Sequence, residues 1–316
     1  MHHPNFFLAG TVKAGTTSLA HYLAQHPQIY MSPIKEPSYF ADELRPENFV
    51  EAFQPQMLRE LEETRRYLEG PMTAPRFGGP VVEWQDYLKL FRKVTDETAI
   101  GEGSVSYLWS RTAARNIAAK IPGARIVLML RNPADRAFSQ YLQAVSAGQV
   151  RNSFREQIQA SMRRGAESKF DVLNPLLQFG LYFEQVERFF RHFPREQVRV
   201  YLYEEYREDP HSMLAGLFGF LQVDPTFQPD LSRRFLEPSV PQFVTAAYFL
   251  KRFGVWQKIK QWSPKTFHST MKSAAVRKRE SLVMDPADRA HLREYYRDNI
   301  VKLSTLLDRD LRLWLE

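Results

Sequence analysis

The chemistry of this chain is concentrated in Gly10-Thr11-Val12-Lys13-Ala14-Gly15-Thr16-Thr17-Ser18, where a lysine stands between two glycines and three hydroxyl residues follow. Those residue types suit anion binding. A turn between a strand and a helix presents unpaired amide N–H groups and the positive end of the helix dipole, and glycines let the backbone approach a ligand closely. Lys13 adds a point charge. Two other places carry reactive groups: Lys35-Glu36, bracketed by Pro33 and Pro37, and Arg131, which closes an apolar run. The first offers a carboxylate for proton transfer, or is a plain surface ion pair. The second offers a planar guanidinium that can hold phosphate oxygens bidentately.

The elements that must position these groups are legible in the hydrophobic pattern. Asn5 to Ala9 reads as a short apolar strand, and Leu19, Tyr22 and Leu23 are spaced for a helix from Thr17 to Gln25 that Pro27 stops. Ile29-Tyr30-Met31 is a second strand, and Ser32 to Phe40 reads as a rigid irregular loop. Ala99 to Leu108 begins as a strand. Arg125 to Leu130 is apolar without alternation, as in a strand buried on both faces of a parallel sheet, and Asn132-Pro133 turns it into a helix. Downstream, Phe179 to Phe183 opens a helix, Gln197 to Leu202 alternates as a strand, and Asp209-Pro210 and Asp285-Pro286 open two more helices, the last running to Leu307. Residues 41–98 say least: a helix around Met57 to Leu68, a Gly/Pro-rich loop from Gly70 to Pro80, and a core stripe of Trp84, Tyr87, Leu88 and Phe91.

Composition sets bounds on function. The chain has 316 residues, 44% of them hydrophobic and 25% charged, enough for one large α/β domain. No cysteine is present, which excludes disulfides and thiolate metal sites, and no His/Asp/Glu cluster has metal-ligand spacing, so no metal is expected. No apolar run approaches the ~20 residues of a membrane helix, and the first strand comes too early to leave room for a secretory signal. The net charge of +7 comes from one stretch: residues 251–280 hold nine Lys or Arg and one acid, against 34 bases and 35 acids elsewhere. Such a patch is a solvated face or a site for an acidic partner.

The loop differs from the NTPase pattern G-x-x-x-x-G-K-[ST] in carrying its lysine in mid-loop, with Thr16 after Gly15. It resembles instead the G-x-x-K-[AS]-G-T-[TS] loop of sulfotransferases that use 3′-phosphoadenosine 5′-phosphosulfate (PAPS). Arg131-Asn132-Pro133 with Arg136 and Ser139 resembles the family's 3′-phosphate site, R-[ND]-P-x-x-R-x-x-S, and Gly101-Glu102-Gly103-Ser104 with Tyr107 resembles its G-E-x-S-x-x-Y segment. The resemblance implies that Lys13, Ala14, Gly15, Thr16, Thr17 and Ser18 hold the 5′-phosphosulfate and that Arg131 and Ser139 hold the 3′-phosphate. In carbohydrate-type members a glutamate in the loop after the second strand acts as general base, which falls on Glu36. Arg277 and Lys278, in Val276-Arg277-Lys278-Arg279-Glu280, lie where relatives place a basic loop closing over the cofactor. Asp135 and Arg136 read as helix-surface residues, and Tyr182 as scaffold near the acceptor. Many glycosaminoglycan enzymes of the family have lysine where this chain has Gly103, which points away from heparan-like acceptors.

The expectation is a single domain over residues 1–316, an α/β fold with a P-loop-type, mostly parallel sheet flanked by helices on both faces, and with 41–98 and 225–285 as insertions around the acceptor and cofactor. The expected activity is sulfuryl transfer from PAPS to a hydroxyl or amine of a carbohydrate or small-molecule acceptor, Glu36 taking the proton and Lys13 stabilising the leaving phosphate, without a metal. A cytoplasmic bacterial enzyme is expected, with neither nucleic acid nor a transmembrane segment involved. Two other classes stay open. A nucleotide kinase needs an acid near Mg²⁺, and Glu102 is the strand-end acid that would serve; a non-catalytic polyanion binder would use the 251–280 patch.

Overall fold

A computed structural model describes residues 2–49, 51, 54–164, 176–232, 240–241, 276–277 and 283–316. Its centre is a five-stranded sheet in the order β2-β5-β1-β6-β7, formed by Ile29–Met31, Ala99–Gly103, Phe6–Gly10, Arg125–Leu130 and Val198–Leu202. Every pairing in this sheet is parallel. The side-chain period of two decides what each face holds. Phe6 and Leu8 of β1, with Val127 and Met129 of β6, pack with Leu19, Leu23, Leu217 and Phe218. Phe7 and Ala9, with Ile126, Leu128 and Leu130, pack on the other face with Ile117, Val186, Phe189, Tyr296 and Ile300. Both faces are covered by helices, which is why β6 reads as an unbroken apolar run.

Each helix expected from the sequence is present, among others. Helix α1 is Thr16–Leu23, α2 is Gln54–Glu69, α3 is Trp84–Lys89, α4 is Ser106–Trp109, α5 is Ala113–Lys120 and α6 is Pro133–Ser146. Phe154–Arg164 is α7, Tyr182–His192 is α8, Tyr203–Glu208 is α9 and Pro210–Leu221 is α10. The C-terminal helix is Pro286–Leu307, capped by Asp285, whose carboxylate accepts from the Ala287 amide at 2.8 Å. Asp209 caps α10 in the same way, accepting from Ser212 N at 3.0 Å.

Two segments differ from the sequence reading. The proline-bracketed loop and the Gly/Pro-rich loop are not independent: Ile34–Lys35 (β3) pairs in parallel with Arg76–Phe77 (β4), with Arg76 N donating to Pro33 O at 2.7 Å and Gly78 N to Lys35 O at 2.8 Å. Two loops that each lack periodicity satisfy each other's backbone groups. Arg136 is also no surface residue, being 0% exposed. Its guanidinium donates to the Leu176 carbonyl at 2.6 Å and to Gln140 Oε1 at 2.7 Å, joining α6 to the chain ahead of α8. Its neighbour Asp135 is half-buried and pairs with Arg289 at 2.6 Å.

Candidate active site

Strand β1 ends at Gly10, whose place between β1 and β6 leaves no room for a side chain: a Cβ there would lie 2.5 Å from the Met129 carbonyl oxygen. The chain then turns through Lys13, with φ +68°, and Gly15, with φ +81°, into α1. Both sit in the left-handed region, which Gly15 adopts freely and Lys13 adopts at some cost. Gly15 precedes the helix and gives no side-chain cap. The amides of Thr16, Thr17 and Ser18 therefore open the helix with no carbonyl one turn back to receive them, which suits an anion. Ala14, Thr16 and Ser18 are buried, while Lys13 and Thr17 are half-buried at the mouth of the loop.

Arg131 follows the last residue of β6, next to β1 in the sheet, and reaches back to this loop. Its guanidinium donates to the Lys13 carbonyl at 2.9 Å and lies 4.7 Å from the centroid of the Tyr203 ring. Tyr203 also bounds the loop, since a Cβ on Gly15 would come within 3.2 Å of its ring. Behind Arg131, Tyr182 is buried and donates its hydroxyl to the Arg131 carbonyl at 2.8 Å, so it supports the arginine. Burial pushes its phenol up to about 12. Asn132 caps α6 through its side chain, and its own amide donates to Glu204 Oε1 at 2.9 Å. Burial lowers the Arg131 guanidinium from its ordinary value, opposed by Tyr203, Asp135 and Glu204. Ser139 is half-buried on α6, about 1.7 helical turns beyond Pro133.

On the other side of β1, the end of β5 holds the third group. Glu36 N donates to the Gly103 carbonyl at 2.8 Å, and the Glu36 carboxylate accepts from Val105 N at 2.7 Å and from the Lys35 ammonium. Glu36 and Ser38 both have positive φ, +71° and +56°. The stem of Lys35 crosses Gly103: a Cβ at that position would lie 3.1 Å from Lys35 Cδ and Cε. The space a side chain at residue 103 would occupy is thus filled by a lysine from the neighbouring loop.

Glu102 is at the end of β5 as expected, yet it is 0% exposed. Its carboxylate accepts from Ser104 Oγ at 2.9 Å, Tyr107 OH at 2.5 Å and Tyr87 OH at 3.2 Å. Burial pushes it up to about 7, against the pull of the Tyr107 and Ser104 hydrogen bonds. A carboxylate so enclosed is not presented to a metal-bound nucleotide, which removes the acid a kinase would need there. Arg277 contributes backbone to a two-residue antiparallel pairing of Val240–Pro241 with Val276–Arg277, while Lys278 and most of 251–280 lie outside the described residues. Among the described residues no His/Cys/Asp/Glu group has the arrangement of a metal site.

Sequence reasoning missed Tyr203 and Tyr87 as parts of this site, and the packing of the Lys35 stem over Gly103. Tyr87 stood in the helical stripe assigned to the core, where its ring indeed packs, stacked on Tyr39 at 4.8 Å and Trp84 at 5.5 Å. A tyrosine in such a stripe is the available signal, because its hydroxyl needs a buried partner.

A model of the sulfotransferase family matches residues 4–229. The bifunctional heparan sulfate N-deacetylase/N-sulfotransferase 1 of Caenorhabditis briggsae is 27% identical over 73% of this chain and 24% of its own length. The human bifunctional heparan sulfate N-deacetylase/N-sulfotransferase 3 is 26% identical over 96% of this chain and 30% of its own. The chain therefore spans less than a third of these relatives. A crystal structure of a sulfotransferase from Alicyclobacillus acidocaldarius superposes with a TM-score of 0.72 at 28% identity, each chain covered over 100%. With the family model matching most of its length, this chain belongs to the sulfotransferase family.

Proposed function

We propose that the protein transfers the sulfuryl group of PAPS to a hydroxyl or amine on a carbohydrate or small-molecule acceptor. The observation that carries this reading is the row of three loops at the ends of adjacent parallel strands: Glu36 against β5, Lys13 after β1 and Arg131 after β6, with Arg131 bonded to Lys13 O at 2.9 Å. Ligands of open α/β sheets bind outside the carboxyl ends of the strands. The donor groups also fit a nucleotide with phosphates at both ends, being helix-opening amides, an ammonium, a guanidinium and hydroxyls. Arg131, drawn out of water with one donor committed to Lys13, favours an anionic ligand for the rest.

When bound, PAPS supplies an activated sulfuryl group; positioning and charge are the protein's part. Lys13, Ala14, Gly15, Thr16, Thr17 and Ser18 receive the phosphosulfate end, and Arg131 and Ser139 the 3′-phosphate. Glu36 takes the acceptor proton as the new bond to sulfur forms. Lys13 and the loop amides stabilise the charge left on the departing phosphate oxygen. The names of the heparan sulfate relatives support a carbohydrate acceptor. Among the described residues no helix is long and apolar enough to cross a membrane.

A thermal-shift titration with adenosine 3′,5′-bisphosphate, ADP and ATP, each with and without Mg²⁺, tests the donor assignment. A ligand binding only the folded state adds ~2.7 kcal/mol at a hundred times its dissociation constant, which moves the midpoint by several degrees. Stabilisation by the bisphosphate without metal, and a weaker effect of ADP, is expected. Stabilisation by ATP with Mg²⁺ alone would overturn the reading in favour of a kinase.

A further inference from the structure

Glu102 is buried, titratable and unused by the mechanism above, yet the hydrogen bonds around it lead directly to the Glu36 loop. Ser104 Oγ and Tyr107 OH each have one proton to give, and both give it to Glu102. That leaves their lone pairs facing the loop. Ser104 Oγ accepts from Ser38 N at 3.1 Å, and Tyr107 OH accepts from Phe40 N at 3.5 Å. Ser106 Oγ adds a bond to Ser38 Oγ at 3.0 Å, and Val105 N holds the Glu36 carboxylate at 2.7 Å. The loop needs such fastening, because Glu36 and Ser38 both occupy the left-handed region, where non-glycine residues persist only if their surroundings hold them.

We propose that Glu102 is a positioning residue for sulfuryl transfer: by accepting the protons of Ser104 and Tyr107, it orients both hydroxyl oxygens to hold the Ser38 and Phe40 amides and so fixes Glu36 at the acceptor side. It touches neither donor nor acceptor. The catalytic half of this proposal rests on Glu36 being the base; the structural half does not.

The charge state of Glu102 then matters. The groups facing it are Tyr87 of α3, Tyr107 of α4, Ser104, and Lys35 and Glu36 of the loop. As a carboxylate it accepts from all three hydroxyls. Once protonated, it must itself donate from one oxygen, so one of the three hydroxyls loses the acceptor of its own proton and has to turn toward another; where that hydroxyl is Ser104 or Tyr107, its hold on a loop amide is weakened. Burial places this change near neutrality, at about 7. The loop is therefore ordered above that pH and loosened below it.

The test is hydrogen–deuterium exchange resolved at Ser38, Phe40 and Val105, on wild type and Glu102→Gln, across pH 5.5 to 8.5 with intrinsic rates corrected. Wild type is expected to lose protection at these amides as pH falls through neutrality, roughly ten-fold or more, while β1 and β6 keep theirs. Glu102→Gln, which presents an N–H₂ where an acceptor is needed, is expected to show the loosened loop at every pH and an unchanged affinity for adenosine 3′,5′-bisphosphate. Ser104→Ala, a small change that retains the fold, is expected to loosen Ser38 alone. Protection at Ser38 and Phe40 that is independent of pH and equal in wild type and both variants would overturn the proposal. Turnover of PAPS with N-desulfated heparin separates the two halves: Glu36→Gln at full rate removes the base assignment, whereas Glu102→Gln at full rate beside an inactive Glu36→Gln removes Glu102 from the reaction.

Discussion

Arg131 donates a guanidinium hydrogen bond to the main-chain carbonyl of Lys13 at 2.9 Å. The two residues belong to loops that follow neighbouring strands, and the bond holds them together at the carboxyl ends of those strands. A ligand gripping both would bridge β1 and β6. The Tyr203 ring lies 4.7 Å from the same guanidinium and gives it a cation–π contact.

Arg131→Lys is expected to weaken adenosine 3′,5′-bisphosphate roughly 10- to 100-fold, since the charge is kept but the planar fork and its charge-assisted hydrogen bonds, ~1.5–3 kcal/mol each, are lost. ADP, without a 3′-phosphate, should lose much less. Isothermal titration calorimetry with both ligands decides it. An equal loss for the two would assign Arg131 to the loop's own architecture.

Glu36→Gln is expected to slow transfer by ~10²–10⁴ while leaving bisphosphate affinity unchanged, because the amide keeps the shape of the carboxylate but cannot take a proton. The Val105 amide can still donate to the remaining oxygen, so the loop should stay in place. The measurement is PAPS turnover with N-desulfated heparin as the acceptor, beside calorimetry with the bisphosphate.

Much of this arrangement is legible in the residues themselves. Gly10, Lys13 and Gly15 announce an anion loop because turn chemistry is local, and the unbroken apolar run of β6 announces a strand covered on both faces because burial is all it needs. What stays hidden is tertiary. The packing of Arg136 depends on the Leu176 carbonyl, 40 positions away in sequence, and a single arginine on an amphipathic helix carries no mark of that partner. The β3–β4 pairing joins two loops with no periodicity of their own. Lys35 and Gly103 belong together only because Gly103 lacks a side chain, a relation visible once β3 lies across the end of β5. The basic stretch 251–280 was legible as charge, and its role lies outside the described residues apart from the Val276–Arg277 pairing.

Arg136→Met tests the buried arginine. The methionine fills similar volume, but the Leu176 carbonyl loses its donor and Gln140 its partner, at ~1–3 kcal/mol for a buried group left unpaired. Part of this is offset, because Arg136 Nε has no hydrogen-bond partner among the described residues. A loss of about 1–2 kcal/mol is therefore expected, a fall of roughly 2–8 °C in melting midpoint, with bisphosphate affinity retained in the folded protein. An unchanged midpoint would mean that the buried guanidinium adds nothing beyond the apolar contacts of its stem.

Glu102 carries the expected pH dependence of stability. Its folded value, about 7, lies above the ordinary 4.5 of the unfolded chain, so between those limits the folded protein binds more protons than the unfolded one. Stability therefore falls as pH rises from about 4.5 to about 7 and is level beyond, by roughly 3 kcal/mol from this group alone. The difference in melting midpoint between wild type and Glu102→Gln should follow that course, wild type losing ground with rising pH. A difference constant over the window would assign the ionisation elsewhere. The direction is opposite to that of the loop. The carboxylate that holds Ser38 and Phe40 through Ser104 and Tyr107 is the form burial disfavours, so the same ionisation that lowers global stability orders the segment bearing Glu36. Local order at the reacting side is thus maintained at the expense of the fold around it, which is where a buried carboxylate ringed by hydroxyls differs from one placed for stability alone.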